Sequence, residues 1–193
     1  MRRNPLSCAV AALLATASTT AHADAEVQAL AIAAGVVVVA ATVADTAKRE
    51  ESDQISLEVG RFDPIKNVKP ATTVGGEYRV GRLLWWALRP FAGAGFTSQQ
   101  SLYGYGGIRI ATYWGERLVI TPSFAVGAYS RGEGKDLGNP PVLGRFGIDV
   151  EYRFDNDMRV GAAYHHYSNG KALGQSSNPG TEVIGLTFSL AIR

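Results

Sequence analysis

The stretch GTEVIGLTFSLAI, residues 180–192, has a period of two. Ile184, Leu186, Phe188, Leu190 and Ile192 fall on one face, and Val183, Gly185, Thr187, Ser189 and Ala191 on the other. Successive side chains of a strand point to opposite faces, so this is a strand with one large apolar side and one small or polar side. RFGIDVEYRF, residues 145–154, repeats the pattern with charge added: Phe146, Ile148, Val150, Tyr152 and Phe154 alternate with Arg145, Gly147, Asp149, Glu151 and Arg153.

Six more segments of similar length precede or separate these two. The full set covers 54–62, 71–81, 85–97, 102–113, 117–130, 143–154, 157–168 and 181–192. Eight is an even number, and each segment is long enough to cross a bilayer as a tilted strand of ~9–11 residues. Parity alone does not say which face is inside. The charged side carries Glu77, Arg79, Arg109, Asp149, Glu151 and Arg153, whose opposite signs can pair across a narrow lumen. The apolar side is uniform, as a lipid-facing belt is. The pattern predicts an all-β, eight-stranded antiparallel transmembrane β-barrel over residues 53–193.

The connections give a direction. WGE (114–116) and DND (155–157) read as tight turns, with RLL (82–84) a candidate third. The connections 63–70, 131–142 and 169–180 are longer and belong on the outside. Trp85, Trp86, Tyr113 and Trp114 lie beside the short turns, where an interfacial aromatic girdle belongs. Pro122 falls inside the fifth segment and lacks a ladder donor, which predicts a bulge or local break there.

The N-terminus reads as a secretory signal peptide over residues 1–23. Arg2 and Arg3 form its basic region, Leu6 to Ala17 its apolar region, and AHA at 21–23 a small-x-small cleavage pattern. A second apolar stretch, 29–44, is shorter than the ~20 residues of a spanning helix. With its charged flanks it reads as a helix and linker over 24–52, and a longer leader that includes it is the open alternative. The single cysteine, Cys8, falls in the leader, which excludes a disulfide framework and a cysteine metal site. A net charge of +2 gives no electrostatic case for nucleic acid. GYGGIR (104–109) has no helix after it and GEGK (132–135) has no phosphate-loop spacing, so both read as strand and loop glycines.

MRVGAAYHHYS, residues 158–168, raises the chemical question. Parity puts His166 and Ser168 on the apolar face with Val160, Ala162 and Tyr164, and His165 and Tyr167 on the other. Neighbours at i and i+2 lie ~6.5–7 Å apart at Cα, a gap that an imidazole and a hydroxyl can close. Glu182 shares the face of Ile184 and Leu186 in the hairpin partner strand, so it can stand beside His166. A carboxylate at a lipid boundary is costly unless partnered. Ser168, His166 and Glu182 fit the logic of nucleophile, base and orienter. His165 reads as a lumen or interfacial hydrogen-bonder. An isolated His-x-Ser followed by Asn-Gly is usually a strand end and turn; the conjunction on one apolar face raises the catalytic reading.

HHYSN (165–169) and NPGTEV (178–183) resemble elements of the lipid A 3-O-deacylase (acyloxyacyl hydrolase) family of Gram-negative outer membranes. RPFAGAG (89–95), YGYGGI (103–108), TPSFAVGAYS (121–130), GKDLG (134–138) and EYRFDN (151–156) support the resemblance, which spans about residues 54–193. It implies an outer-membrane esterase that removes the 3-position hydroxyacyl chain of lipid A, with Ser168 as nucleophile, His166 as base and Glu182 orienting it. Asn169, with Asn178 and Gly180, matches the family's substrate or oxyanion elements. No metal or cofactor is implied. The expected partner is lipid A or lipopolysaccharide of the outer leaflet, and a homodimer is left open. Arg131, Lys135 and Lys171 are candidates for attracting lipid A phosphates. Two other readings stand beside this one: a non-enzymatic structural or adhesin-like barrel, and a lipid A acyltransferase. A soluble lipocalin-like binder fits the sequence less well.

Overall fold

The computed structural model describes residues 48–138, 142–169 and 179–192. The expected signal peptide, the 29–44 helix, Lys171 and Asn178 lie outside the described residues. Nine strands follow one another: β1 (Asp53–Phe62), β2 (Ala71–Arg79), β3 (Arg89–Thr97), β4 (Leu102–Arg109), β5 (Thr112–Trp114), β6 (Leu118–Ser130), β7 (Val142–Arg153), β8 (Arg159–Ser168) and β9 (Thr181–Ile192). All pair antiparallel with their neighbours, and β1 pairs with β9 from Asp53↔Ile192 to Phe62↔Val183. That pairing closes the sheet. β4 and β5 both lie against β6, so the barrel has eight staves.

The break between β4 and β5 comes from Pro122, on the strand opposite. Arg109↔Ser123 and Thr112↔Ile120 share one register, so no residue is inserted and the expected bulge is absent. The Ile110 N–H still donates to the Pro122 carbonyl at 3.0 Å. What is missing is the return bond, because proline has no N–H to give. The local break is one lost ladder bond, and β6 itself runs through the proline unbroken.

The apolar faces look outward. Leu57, Val126, Ile184 and Leu186 are exposed, Leu186 to 72 %. An exposed apolar belt of this kind is the surface a transmembrane barrel turns to lipid. Inside, charge fills the lumen. Arg79 donates to Glu77 (2.7 Å), Asp149 (2.7 Å) and Glu151 (3.2 Å), and Arg145 donates to Glu77 (2.8 Å) while lying over the Tyr105 ring. His165 joins this network through Asp149 (3.1 Å) and Glu58 (3.2 Å), as its parity requires. Buried ions of one sign would be very costly; alternating signs with hydrogen bonds offset the desolvation.

One end of the lumen is stoppered by the segment that leads into β1. Glu51, whose side chain is 2 % exposed, pairs with Arg89 (3.1 Å), Arg109 (2.9 Å) and Arg159, and accepts a bond from Tyr113 Oη (3.0 Å). Arg49 lies over the Tyr113 ring at 5.0 Å. Tyr113 therefore belongs to the lumen and not to the aromatic girdle; its parity follows Val119, on the inner face. Trp85 and Trp86 are exposed beside it, where the girdle was expected.

RLL is not a tight turn between strands. β2 ends at Arg79 and β3 begins at Arg89, later than the pattern suggested. The reversal sits within this connection: Leu84 N donates to Leu88 O and Leu88 N to Trp85 O (both 2.8 Å), with Trp86 in the left-handed region at φ 51°. At the opposite end, connection 131–138 folds down over the lumen. Leu137 packs among Phe62, Tyr129, Tyr167, Leu143 and Val183, forming an apolar stopper at that mouth.

Candidate active site

The β8–β9 hairpin and the β7–β8 pairing fix one row of side chains on the lipid-facing wall. Phe146 lies opposite His166, and His166 lies opposite Glu182. The next row toward the long loops places Gly144 opposite Ser168. Parity therefore brings His166, Ser168 and Glu182 to one patch, at the end of the wall where strands give way to loops.

Burial changes along this face. Val160, Ala162 and Leu186 are exposed, as lipid-facing residues should be, whereas His166 is 4 % and Glu182 2 % exposed. The polar pair is sheltered within an apolar wall. His166 Nδ1 lies 3.3 Å from Glu182 Oε1. A carboxylate there selects the tautomer with the proton on Nδ1, which leaves Nε2 basic. The Glu182 main chain is held as well: its carbonyl accepts the Asp63 N–H at 2.8 Å. Its second carboxylate oxygen, Oε2, is buried with no hydrogen-bond partner among the described residues.

Two glycines shape the space around the pair. A Cβ on Gly180 would lie 3.2 Å from His166 Cε1 and 3.5 Å from Nε2, so the bare backbone lets the chain lie against the basic side of the ring. A Cβ on Gly144 would meet only the Ser168 carbonyl, at 3.6 Å. Ser168, the half-buried last residue of β8, thus has no side chain across from it on that row. Asn169 is buried, and its Nδ2 donates to the Leu137 carbonyl at 3.1 Å, tying the end of β8 to connection 131–138.

Lys135 is not a surface cation. It is 6 % exposed, and its Nζ bonds Asp63 Oδ1 at 2.5 Å. Arg131 is exposed but pairs with Asp136 at 3.0 Å. Neither is positioned as the free phosphate-attracting group expected from sequence. The charge-rich loop pattern suggests solvation, and it hides the fold of the loop into the barrel mouth.

Asp63 is the residue that sequence reasoning missed. It is fully buried, in the left-handed region at φ 56°. Its Oδ2 accepts the N–H groups of Val68 (2.8 Å) and Lys69 (2.9 Å), and its Oδ1 also receives Thr181 Oγ1 at 3.3 Å. Burial would push the Asp63 carboxyl up, but the Lys135 ammonium and the two loop N–H groups outweigh it and hold the carboxyl below its usual range. An Asp at a strand end before Pro64 is a turn signal. Its link to Lys135 has no signature in the sequence.

A family model described as lipid A 3-O-deacylase (PagL) matches residues 91–191, just over half of the chain. The match includes β8 and nearly all of β9. The crystal structure of the outer membrane enzyme PagL superposes with a TM-score of 0.54 at 20% identity, covering 72% of this chain and 99% of that one. A de novo designed transmembrane β-barrel gives a TM-score of 0.45 at 13% identity, over 72% of this chain and 98% of the design. The Yersinia pestis outer membrane protein Ail gives 0.43 at 12%, over 72% and 100%. No curated protein matches the chain.

Proposed function

The chain belongs to the lipid A 3-O-deacylase (PagL) family of the bacterial outer membrane, and from that premise we propose that it is an esterase removing the 3-position hydroxyacyl chain of lipid A through Ser168, His166 and Glu182. The observation that carries the residue assignment is the His166–Glu182 pair, 3.3 Å apart and buried on a wall that otherwise faces lipid. Ionisable groups in such a place are expensive and tend to be functional.

The His166–Glu182 contact supports the following chemistry. Glu182 holds the proton on Nδ1, so Nε2 can take the Ser168 proton as Oγ attacks the ester carbonyl. The tetrahedral intermediate carries an oxyanion that needs donors already in place. Candidates are backbone N–H groups near Gly180 and the Asn169 amide, one of whose N–H bonds goes to Leu137; Asn178 is a candidate from the family resemblance alone. His166 then protonates the leaving sugar oxygen. Water, deprotonated by the same imidazole, releases the fatty acid from Ser168. The ester bonds of lipid A lie near the boundary between acyl chains and sugar. A site on the outer wall at the loop end meets them without pulling the lipid from the leaflet.

The test is mass spectrometry of lipid A from cells expressing the wild-type chain or Ser168→Ala. Loss of one 3-linked hydroxyacyl chain with the wild type alone, appearing as free fatty acid, supports the assignment. Transfer of that chain to another lipid would point to an acyltransferase. Unchanged lipid A in membranes and in detergent, with the barrel folded, would leave a non-enzymatic barrel.

A further inference from the structure

The β1–β2 connection, residues 63–70, lies beside the proposed catalytic row on the side away from Ser168. It starts at Asp63, whose N–H is bonded to the Glu182 carbonyl. Its shape is fixed from within. Asp63 Oδ2 takes the Val68 and Lys69 N–H groups, and the Asn67 N–H donates to the Asp63 carbonyl at 3.2 Å. Asp63 and Asn67 both adopt positive φ, 56° and 52°. This is a built knuckle with a defined outer surface.

That surface has two characters. Ile65 and Val68 are exposed, to 59 % and 66 %. Lys66 and Lys69, each one residue after these, are exposed as well, and Arg61 projects from the outer face of β1 just below, beside Ile184 of β9. Asp63 is the only acid of the connection, and Lys135 already neutralises it. No ion pair joins Arg61, Lys66 or Lys69 to an acid among the described residues. Residues 139–141 and 170–178, which are not among the described residues, contain no acid in sequence. Arg61 stands on β1, two strand spacings or about 10 Å from the β8 strand that carries His166.

Exposed lysines on a loop are ordinarily solvated. Here they alternate with two bare apolar side chains, on the rim of a lipid-facing wall, with no ion-pair partner among the described residues. Such a surface is matched by an anionic amphiphile: apolar chains against Ile65 and Val68, anionic oxygens on the cations. We propose that Arg61, Lys66 and Lys69 form a phosphate-recognition face that holds the phosphorylated sugar of lipid A while its 3-linked ester lies at Ser168. This rests on the deacylase reading above and adds to it the determinant of headgroup specificity. Lys135, buried and paired, supports the face from behind by fixing Asp63.

The experiment uses the full chain in neutral detergent micelles, with bis-phosphorylated lipid A and the same lipid stripped of phosphate. The wild type should have a KM about tenfold or more lower for the phosphorylated lipid at low salt, and added salt should erode the difference. Arg61→Gln/Lys66→Gln/Lys69→Gln should bring the ratio of the two KM values near one, with kcat changed less than twofold. Arginine at 66 and 69 should restore the ratio. Binding of both lipids to the Ser168→Ala chain, with and without the three glutamine changes, gives the same comparison independently of hydrolysis. Failure of the deacylase reading would show as no turnover of either lipid, and the binding ratio would still decide the phosphate face. A wild type with no preference for phosphate, or a triple variant that keeps the preference, overturns it.

Discussion

Lys135 Nζ and Asp63 Oδ1 meet at 2.5 Å, although 72 residues separate them in the chain. The bond joins two loops on opposite sides of the barrel mouth and sits directly behind Glu182, whose carbonyl is bonded to Asp63. Lys135→Met keeps the aliphatic stem and removes the charge, leaving a buried carboxylate without its cation. Breaking one side of such a pair costs about 3 kcal/mol. We expect a lower melting temperature by circular dichroism in detergent. Asp63→Asn together with Lys135→Met, which removes both charges, should recover part of the loss. The Asp63 carboxyl is held low in the folded barrel, so the contribution of the pair is present above the normal aspartate range and disappears as pH falls through the folded value. A melting difference between wild type and Lys135→Met that persisted fully in strong acid would contradict this.

A second prediction concerns Glu51. Burial alone would raise its carboxyl, but Arg109, Arg159 and Arg89 hold it down to about 2, against 4.5 for a free glutamate. The folded state is therefore stabilised by ionised Glu51 above about pH 4.5, and that contribution is lost between there and about pH 2. The span corresponds to about 3 kcal/mol. Glu51→Gln should lower the melting temperature at neutral pH and flatten its dependence on pH over that window. A variant that melts like the wild type at pH 7 would mean that the three arginines do not need this stopper.

These two clusters also mark how far the sequence could be read. Strand positions and faces were legible because lipid outside and charge inside impose a strict period of two, seen best in Ile184 to Ile192 and in Arg145 to Phe154. The His166–Glu182 juxtaposition followed from parity and a single hairpin. What parity could not supply was the behaviour of segments outside strands. Glu51 lies in a charged stretch that looks like a linker, and Lys135 in a loop that looks solvated. Both turn inward because the lumen already holds the opposite charges, Arg109 and Asp63, a relation visible only once the barrel is closed. Pro122 was recognisable as a missing donor, but the side of β6 that would feel the loss depends on register. Tyr113 was misread for a similar reason: aromatic content near a turn does not reveal which face it takes.

A third prediction separates orientation from simple presence at the proposed site. Glu182→Gln keeps size and burial but donates where a carboxylate accepts, so it should favour the wrong histidine tautomer. In serine hydrolase triads the comparable change lowers kcat by about 10⁴. We expect a drop of between about 10² and 10⁴ in kcat on lipid A, with KM little altered. His166→Ala should be at least as damaging. A Glu182→Gln chain with wild-type kcat would remove Glu182 from the mechanism, even if Ser168 and His166 remained in it.

The last prediction uses Gly180. Its φ lies outside the left-handed region, so an added methyl meets no backbone penalty. The methyl would lie 3.2 Å from His166 Cε1, 3.4 Å from the Tyr167 carbonyl and 3.5 Å from Nε2. Those distances are tight without being impossible, and something must move by a few tenths of an ångström. The imidazole is the mobile partner, because Tyr167 O belongs to the β8 backbone. A displacement of that size at a catalytic base is costly, since misplacement by ~1 Å can reduce turnover about 10²-fold. Gly180→Ala should therefore lower kcat about tenfold while leaving the melting temperature within a few degrees of the wild type. Gly144→Ala is the matched control for folding, since its methyl meets only the Ser168 carbonyl at 3.6 Å. If Gly180→Ala is as active as the wild type, the ring face toward Gly180 is not where proton transfer occurs. Nε2 would then have to work from its other side.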